Sequence, residues 1–293
     1  MGVYDGRALR MVNDERRIKA SQGAPRFYFM GVDPAPARGS TSDDGALAVL
    51  RVSPRPGVAE PTGNVGDWRA EFVWAYRLRG ATARQWSGFI HLKHRHFGLS
   101  GICMDAGGGG TWINDELILT KQNLNGVETQ CVPIACQEDL ERTGPNVQCL
   151  LTMYRRRDPG IQHLWPHLAG DENLVEAMHM VFQEAVTYMT VSWPKAYNDR
   201  APGEYADWPE EKRWALKTLD AARSQLVDIQ VATAADGTYA LTGHSAKQFS
   251  AGGKKDLAYA CIYAYVRFLV WLKMGELDFE GESQDGDGYY VMG

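Results

Sequence analysis

Three aspartates stand at positions where a carboxylate is costly to bury. Asp33 follows the apolar run FYFMGV, Asp105 follows GICM, and Asp256 opens an apolar stretch that ends at Leu272. An ionised carboxylate costs several kcal/mol to remove from water unless it is paired, hydrogen-bonded or bound to a metal. Carboxylate oxygens are hard ligands of the kind that Mg²⁺ and Mn²⁺ prefer. The three residues therefore favour a divalent-metal site.

Two ions held by these acids would support hydrolysis of a phosphodiester bond. At about 3.5–4 Å apart, one ion activates the attacking water and the other stabilises the leaving oxygen. The structural alternative is that the aspartates only cap the chain. Asp33 precedes Pro34 and Asp105 precedes a glycine run, as turn residues do, and Asp256 could be a helix N-cap. The occurrence of all three in one topological order favours the metal site.

The elements that must position these acids are predicted from hydrophobic periodicity and turn signals. Three strands joined by hairpin loops come first, followed by a helix, a strand, a short helix and a further strand. They are predicted at 27–32, 46–52, 70–78, 82–97, 101–104, 113–119 and 129–135. This order predicts the α/β class, with a mixed sheet of three antiparallel strands followed by parallel strands and helices on both faces. Acids after adjacent central strands would then share the crevice at their carboxyl ends.

The second half of the chain is predicted to be mainly helical. Helices are expected at 172–188, from Trp208 to about Leu226 and from Asp256 to Leu272, with a hairpin inside 228–242. The predicted organisation is a lead-in over residues 1–25, one domain over 26–275 and a flexible acidic tail over 276–293.

Composition sets limits on the classes of protein that fit. The 293 residues are 44% hydrophobic with a net charge of −5. The tail holds six acids and no Lys or Arg, so the remainder carries +1, which neither requires nor excludes a polyanionic substrate. No apolar run reaches the roughly 18 residues of a membrane helix. The five cysteines form no CxxC pair and are expected to be reduced core thiols.

Four short blocks carry a resemblance to a known family. In chain order they are FMGVDPA from Phe29, SDDGALAV from Ser42, ICMDAGGGG from Ile102 and KKDLAYA from Lys254. Together they resemble the nuclease domain of the large terminase subunit of tailed bacteriophages, over about residues 26–272. The resemblance implies a ribonuclease H-like fold and places the metal-binding and catalytic acids of the family on Asp33, Asp105 and Asp256. Family members often carry another acid soon after the first, and Asp43 or Asp44 is the candidate here.

The function implied by this resemblance is an endonuclease that uses two Mg²⁺ or Mn²⁺ ions to cut double-stranded, concatemeric viral DNA during genome packaging. Its expected location is the host cell cytoplasm, and its expected partners are the phage portal and the small terminase subunit. The family also carries an ATPase motor, which is expected to be absent here because no GxxxxGK[ST] motif occurs. The acidic tail is expected either to dock on the portal or only to solubilise the chain.

Several basic side chains are candidates for DNA phosphate contacts. They are Arg155, Arg156, Arg157, Lys254 and Lys255. A separate cluster in the segment HLKHRH contains His91, His94 and His96, and it is expected to be a solvated, cation-bearing helix C-terminus rather than a transition-metal site.

Three other functions fit parts of the pattern. A Holliday-junction resolvase or a transposase-type nuclease would use the same acids on another DNA shape. An actin-like or sugar-kinase-like ATPase would use DAGGGGT as a phosphate loop, although it would not explain Asp256. A portal- or capsid-binding scaffold with a degenerate site would show no metal-stimulated cleavage.

Overall fold

The computed structural model describes residues 25–35, 44–105, 110–136, 163–167, 172–201, 203–233, 239–242 and 255–282. Its centre is a seven-stranded sheet with the strand order β7-β8-β4-β1-β2-β3-β9. The strands are β1 (Phe27–Asp33), β2 (Asp44–Pro54), β3 (Trp68–Arg79), β4 (Gly101–Asp105), β7 (Ala135–Cys136), β8 (His163–His167) and β9 (Val191–Ser192). No helix in the described ranges is long and apolar enough to cross a membrane.

Strand direction follows the predicted scheme. β1, β2 and β3 form an antiparallel meander, while β4 runs parallel to β1 and β8 runs parallel to β4. β1 is buried on both faces from Phe29 to Val32, as its unbroken apolar run requires. The predicted α/β class is confirmed, with a mixed sheet of three antiparallel strands followed by parallel strands.

Helices cover both faces of the sheet. The bounds are α1 (Ala83–Phe97), α2 (Gly110–Leu117), α3 (Glu172–Thr187), α4 (Glu210–Asp228) and α5 (Asp256–Glu282). One core layer joins α1 and α2 to Met30, Val32, Ile102 and Met104 of the sheet. The opposite layer joins α3, α4 and α5 to Phe29 and Cys103. Because alternate residues of a strand point to opposite faces, the odd-numbered residues of β1 and β4 face α5.

Local signals explain where α1 begins and ends. The Thr82 side chain accepts from the Gln85 N–H while the Gln85 side chain accepts from the Thr82 N–H, forming a capping box. Gly98, at φ 63°, ends the helix in the left-handed conformation that glycine tolerates.

Two elements differ from the sequence-based expectation. The strand expected at 129–135 is instead a separate hairpin of β5 (Lys121–Leu124) and β6 (Val127–Gln130), followed by β7. Its turn is Asn125-Gly126, with φ values of 53° and 88°, which is a strong hairpin signal. The helix expected to end at Leu272 continues to Glu282, because Met, Glu and Leu in this stretch are good helix formers despite the negative charge. The expected hairpin in 228–242 is present as β10 (Gln230–Thr233) and β11 (Tyr239–Thr242).

The histidine cluster on α1 is only partly solvated. His96 is exposed, but His91 is buried, and its Nε2 atom lies 3.2 Å from the carbonyl oxygen of Leu117. The expectation of a solvated cluster is therefore wrong for His91, which sits on the apolar face of α1. Cys103, Cys131 and Cys261 are buried and reduced, as expected.

Candidate active site

The register of the central strands brings two of the three aspartates together. β1 and β4 are parallel and pair Val32 with Met104, so Asp33 and Asp105 follow at the next position of each strand. Neighbouring strands lie about 4.8 Å apart. Both aspartates have the parity of the residues that face α5, and both are partly buried. Two carboxylates therefore stand side by side at the carboxyl ends of the two central strands.

A glycine brings α5 directly onto this part of the sheet. A Cβ atom on Gly31 would lie 2.5 Å from Ala264 N, and it would overlap the carbonyl oxygen of Ala260. Any other residue at position 31 would hold the helix away from β1. The first residue of α5, Asp256, lies about one turn before Ala260 and thus at the end of the helix nearest to Asp33.

Another side chain holds the first turn of α5. The Ala258 N–H, which has no partner within the helix, donates to Gln225 Oε1 of α4 at 3.1 Å. Asp256 is partly buried, like the two strand-end aspartates. The start of the helix is thus fixed by α4 as well as by the sheet.

Electrostatic coupling connects α5 to the strand ends. Burial raises the pKa of Tyr259, and the charges of Asp33 and Asp105 raise it further. The pKa of Tyr263 is also raised, first by burial and then by the charges of Asp33 and Asp105. Both phenols remain protonated at neutral pH, and the charges of the two carboxylates act on both. Tyr259 also packs edge-on against the buried ring of His179 of α3, with the ring centroids 5.3 Å apart.

Lys255 lies at the same place. Burial lowers the pKa of its ammonium group to about 8, and the neighbouring charges of Asp256 and Asp33 partly oppose that shift. The Lys255 ammonium group therefore interacts electrostatically with Asp256 of α5 and with Asp33 of β1. This shared influence is further evidence that the start of α5 faces the carboxyl end of β1.

Close backbone packing surrounds the strand ends on the other face. A Cβ atom on Gly110, the first residue of α2, would overlap the carbonyl oxygen of Asp105 and lie 3.7 Å from Pro34 Cγ. The last glycine of the GGGG run is therefore required by the start of α2 against β4. A Cβ atom on Gly45 would lie 2.7 Å from Ala35 N and overlap the Trp86 ring, so the chain after Asp33 passes close to α1.

The other predicted site residues have varied positions. Asp44 begins β2, two residues before Ala46, the partner of Asp33. Its side chain, Asp43, Lys254 and the arginines 155–157 lie outside the described residues. Within the described part of the chain, no group of three or more His, Cys, Asp or Glu side chains is arranged to hold a metal ion. The ligand role of the three aspartates stays a prediction.

Two tyrosines at the site were not predicted from the sequence. Tyr259 and Tyr263 lie three and seven residues after Asp256, so they occupy the same side of α5. This spacing was available in the sequence, but the surrounding apolar run favoured assigning both residues to the core.

The solved structures to which this chain is similar include three large terminase nucleases. The large terminase nuclease of thermophilic phage G20c with bound magnesium matches 91% of this chain and 97% of its own, at 14% identity and a TM-score of 0.49. The Thermus phage P74-26 large terminase nuclease domain matches 99% and 100%, at 15% identity and a TM-score of 0.46. The nuclease domain of the large terminase subunit gp2 of bacterial virus Sf6 matches 89% and 97%, at 13% identity and a TM-score of 0.43. No protein-family model and no curated protein matches the sequence.

Proposed function

We propose that the chain is a divalent-metal-dependent endonuclease that hydrolyses phosphodiester bonds of double-stranded viral DNA during phage genome packaging. The observation that supports this proposal is the placement of Asp33 and Asp105 on neighbouring strand ends, on the face where α5 begins with Asp256. In this proposal the three acids, which are distant in sequence, act together at this edge of the sheet.

The donor set fits Mg²⁺ or Mn²⁺. Mg²⁺ keeps several waters and is usually held by one or two carboxylates together with phosphate oxygens of the substrate. Asp33 and Asp105 supply that pair, and both remain partly accessible. Asp256, with Asp44 as a further candidate, would serve the second of two ions. When bound, such ions activate a water and stabilise the leaving oxygen of the phosphodiester.

The side chains around the acids have supporting tasks in this proposal. Tyr259 and Tyr263 stay protonated, so each can donate a hydrogen bond without adding negative charge beside Asp33 and Asp105. Lys255 adds a positive charge next to Asp33 and Asp256, which offsets part of the repulsion between the acids. Cys103, two residues before Asp105, and Leu257, the residue after Asp256, are fully buried, so these acids stand at the boundary of the core.

Cleavage of supercoiled plasmid tests the function. The wild-type chain should nick and linearise the plasmid with Mg²⁺ or Mn²⁺, and a chelator should abolish the reaction. Asp33→Asn, Asp105→Asn and Asp256→Asn should each reduce cleavage by at least about 100-fold, because each removes a charged metal ligand while keeping the side-chain shape.

Asp115→Asn is the matched control. Asp115 is an exposed residue of α2, so the same chemical change there should leave cleavage unchanged. Wild-type cleavage by any one of the three site variants would remove that acid from the mechanism. An inactive wild-type chain whose melting temperature rises with ATP would instead favour the actin-like ATPase.

A further inference from the structure

A groove opens at the edge of the sheet, on the far side of β2 from β1. It has a volume of about 660 Å³ and lies between the end of β3, the first turns of α1 and the turn of the β5–β6 hairpin. Its charged lining residues are Arg79 and Arg84, and Asn125 lines the opposite wall. None of the described residues that line it is acidic. Both arginines are exposed at the mouth of the groove.

Strand register places this groove on the same edge as the acids. Asp33 pairs with Ala46, Ala46 pairs with Arg77, and Arg79 follows two residues later on β3. Two strand spacings and two residues along a strand correspond to roughly 10–12 Å between the Cα atoms of Asp33 and Arg79. The contact of Gly45 with Trp86 and with the chain after Asp33 keeps the first turns of α1 close to this edge.

Buried contacts hold the two walls of the groove together. A Cβ atom on Gly88 of α1 would overlap the carbonyl oxygen of Asn123, so the hairpin approaches α1 directly. Gln122 of the hairpin is buried; its Oε1 atom accepts from Ser87 Oγ at 2.9 Å, and its amide donates to the Leu119 carbonyl at 3.0 Å. These contacts tie the hairpin to α1 and to the chain after α2, so the walls are in place before any ligand arrives.

We propose that this groove, through Arg79 and Arg84, binds the phosphate backbone of the duplex on one side of the bond that is cut. The inference rests on the proposed function and extends it to the path of the DNA. Guanidinium groups bind phosphate oxygens with two parallel hydrogen bonds, and contacts of this kind position a duplex without reading its sequence. At a rise of about 3.4 Å per base pair, the distance from Asp33 corresponds to roughly three to four base pairs.

The test is DNA binding in the absence of metal, so that cleavage does not interfere. A labelled 30-base-pair duplex is titrated with the chain in chelator at several salt concentrations, and fluorescence anisotropy is recorded. The Arg79→Gln/Arg84→Gln variant should bind about 10- to 100-fold more weakly. The slope of log K against log salt should fall by roughly 1.8, because each lost phosphate contact removes about 0.9.

A matched control removes two charges at the opposite edge of the sheet. Arg26 is exposed before the start of β1, and Arg95 is exposed near the end of α1. The Arg26→Gln/Arg95→Gln variant should keep wild-type affinity and slope. If Arg79→Gln disturbs folding, Arg84→Gln alone carries the test, and its slope should fall by about 0.9.

The outcomes separate this inference from the proposed nuclease activity. If the wild type cleaves DNA with metal and the Arg79/Arg84 variant binds DNA as the wild type does, the proposed DNA-binding role of the groove is wrong. The proposed nuclease activity would be unaffected by that result. If that variant binds DNA more weakly and the wild type does not cleave, the DNA-binding role of the groove is supported and the proposed nuclease activity is wrong. A wild-type chain that does not bind the duplex, or equal losses in the control variant, would overturn the groove.

Discussion

Adding one methyl group at residue 31 should disturb the fold and the site together. A Cβ atom there would lie 2.5 Å from Ala264 N and closer still to Ala260 O, whereas real Cβ atoms essentially never come within 3.0 Å of another heavy atom. Carbon–oxygen contacts settle at about 3.3 Å or more. Because both obstacles are backbone atoms of α5, no side chain can move aside, and the helix must retreat by roughly 1 Å.

This displacement of α5 should lower both the stability of the fold and the rate of cleavage. Overpacking of this kind costs about 3 kcal/mol, which lowers the melting temperature by about 6–10 °C. Asp256 travels with α5 while Asp33 and Asp105 stay on the sheet. Because a misplacement of about 1 Å at a reacting centre costs about 100-fold in rate, Gly31→Ala should cleave plasmid about 100-fold more slowly at a temperature where it is fully folded.

Gly101→Ala provides the comparison. It adds the same methyl group between the sheet and α5, but at the far end of β4, where it meets Arg267 Nε at 2.8 Å. A long side chain can shift, so this variant should lose less stability and cleave at nearly the wild-type rate. Thermal unfolding and plasmid cleavage are measured on both variants. A Gly31→Ala chain with wild-type melting temperature and rate would refute the packing argument.

Two further predictions concern stability alone. Burial lowers the pKa of His91 to about 4, so the unfolded chain binds a proton there more readily than the folded chain. The stability from the neutral imidazole is complete above about pH 6.5 and falls by about 3 kcal/mol as the pH drops to 4; urea unfolding of His91→Gln should lack this part of the pH dependence. Arg51 forms an ion pair with buried Glu71 across β2 and β3. Arg51→Met should cost about 3–5 kcal/mol, and adding Glu71→Leu should restore most of it, because the unpaired buried charge is then removed. Equal urea midpoints for the single and double variants would contradict the second prediction.

Much of the central sheet was predictable because its signals are local. An apolar run that ends in Asp33 reports a strand buried on both faces, and Thr82 with Gln85 reports a helix start. The adjacency of Asp33 and Asp105 was expected because both residues follow strands that were predicted to be central, and β4 does pair with β1.

The remaining features depend on contacts that a single segment does not specify. The two-residue strand β9 exists only because it pairs with Ala70 and Glu71 of β3. His91 belongs to a polar segment, and its burial comes from the packing of α1 against the end of α2. Tyr259 and Tyr263 could be assigned to the site only once Gly31 had fixed which side of α5 meets the strand ends. By contrast, Asn125-Gly126 is a clear local signal for a hairpin, and the prediction of a single strand at 129–135 did not use it.

The position of α5 in the chain determines when a newly synthesised molecule can complete its fold. This helix covers β1, β2 and β4, and it supplies the third aspartate, yet it is synthesised after every other described element. A nascent polypeptide on the ribosome that has not yet extruded α5 has an uncovered sheet and an incomplete acid set. The protein therefore completes the packing of its sheet and its set of three aspartates only when translation has passed this helix.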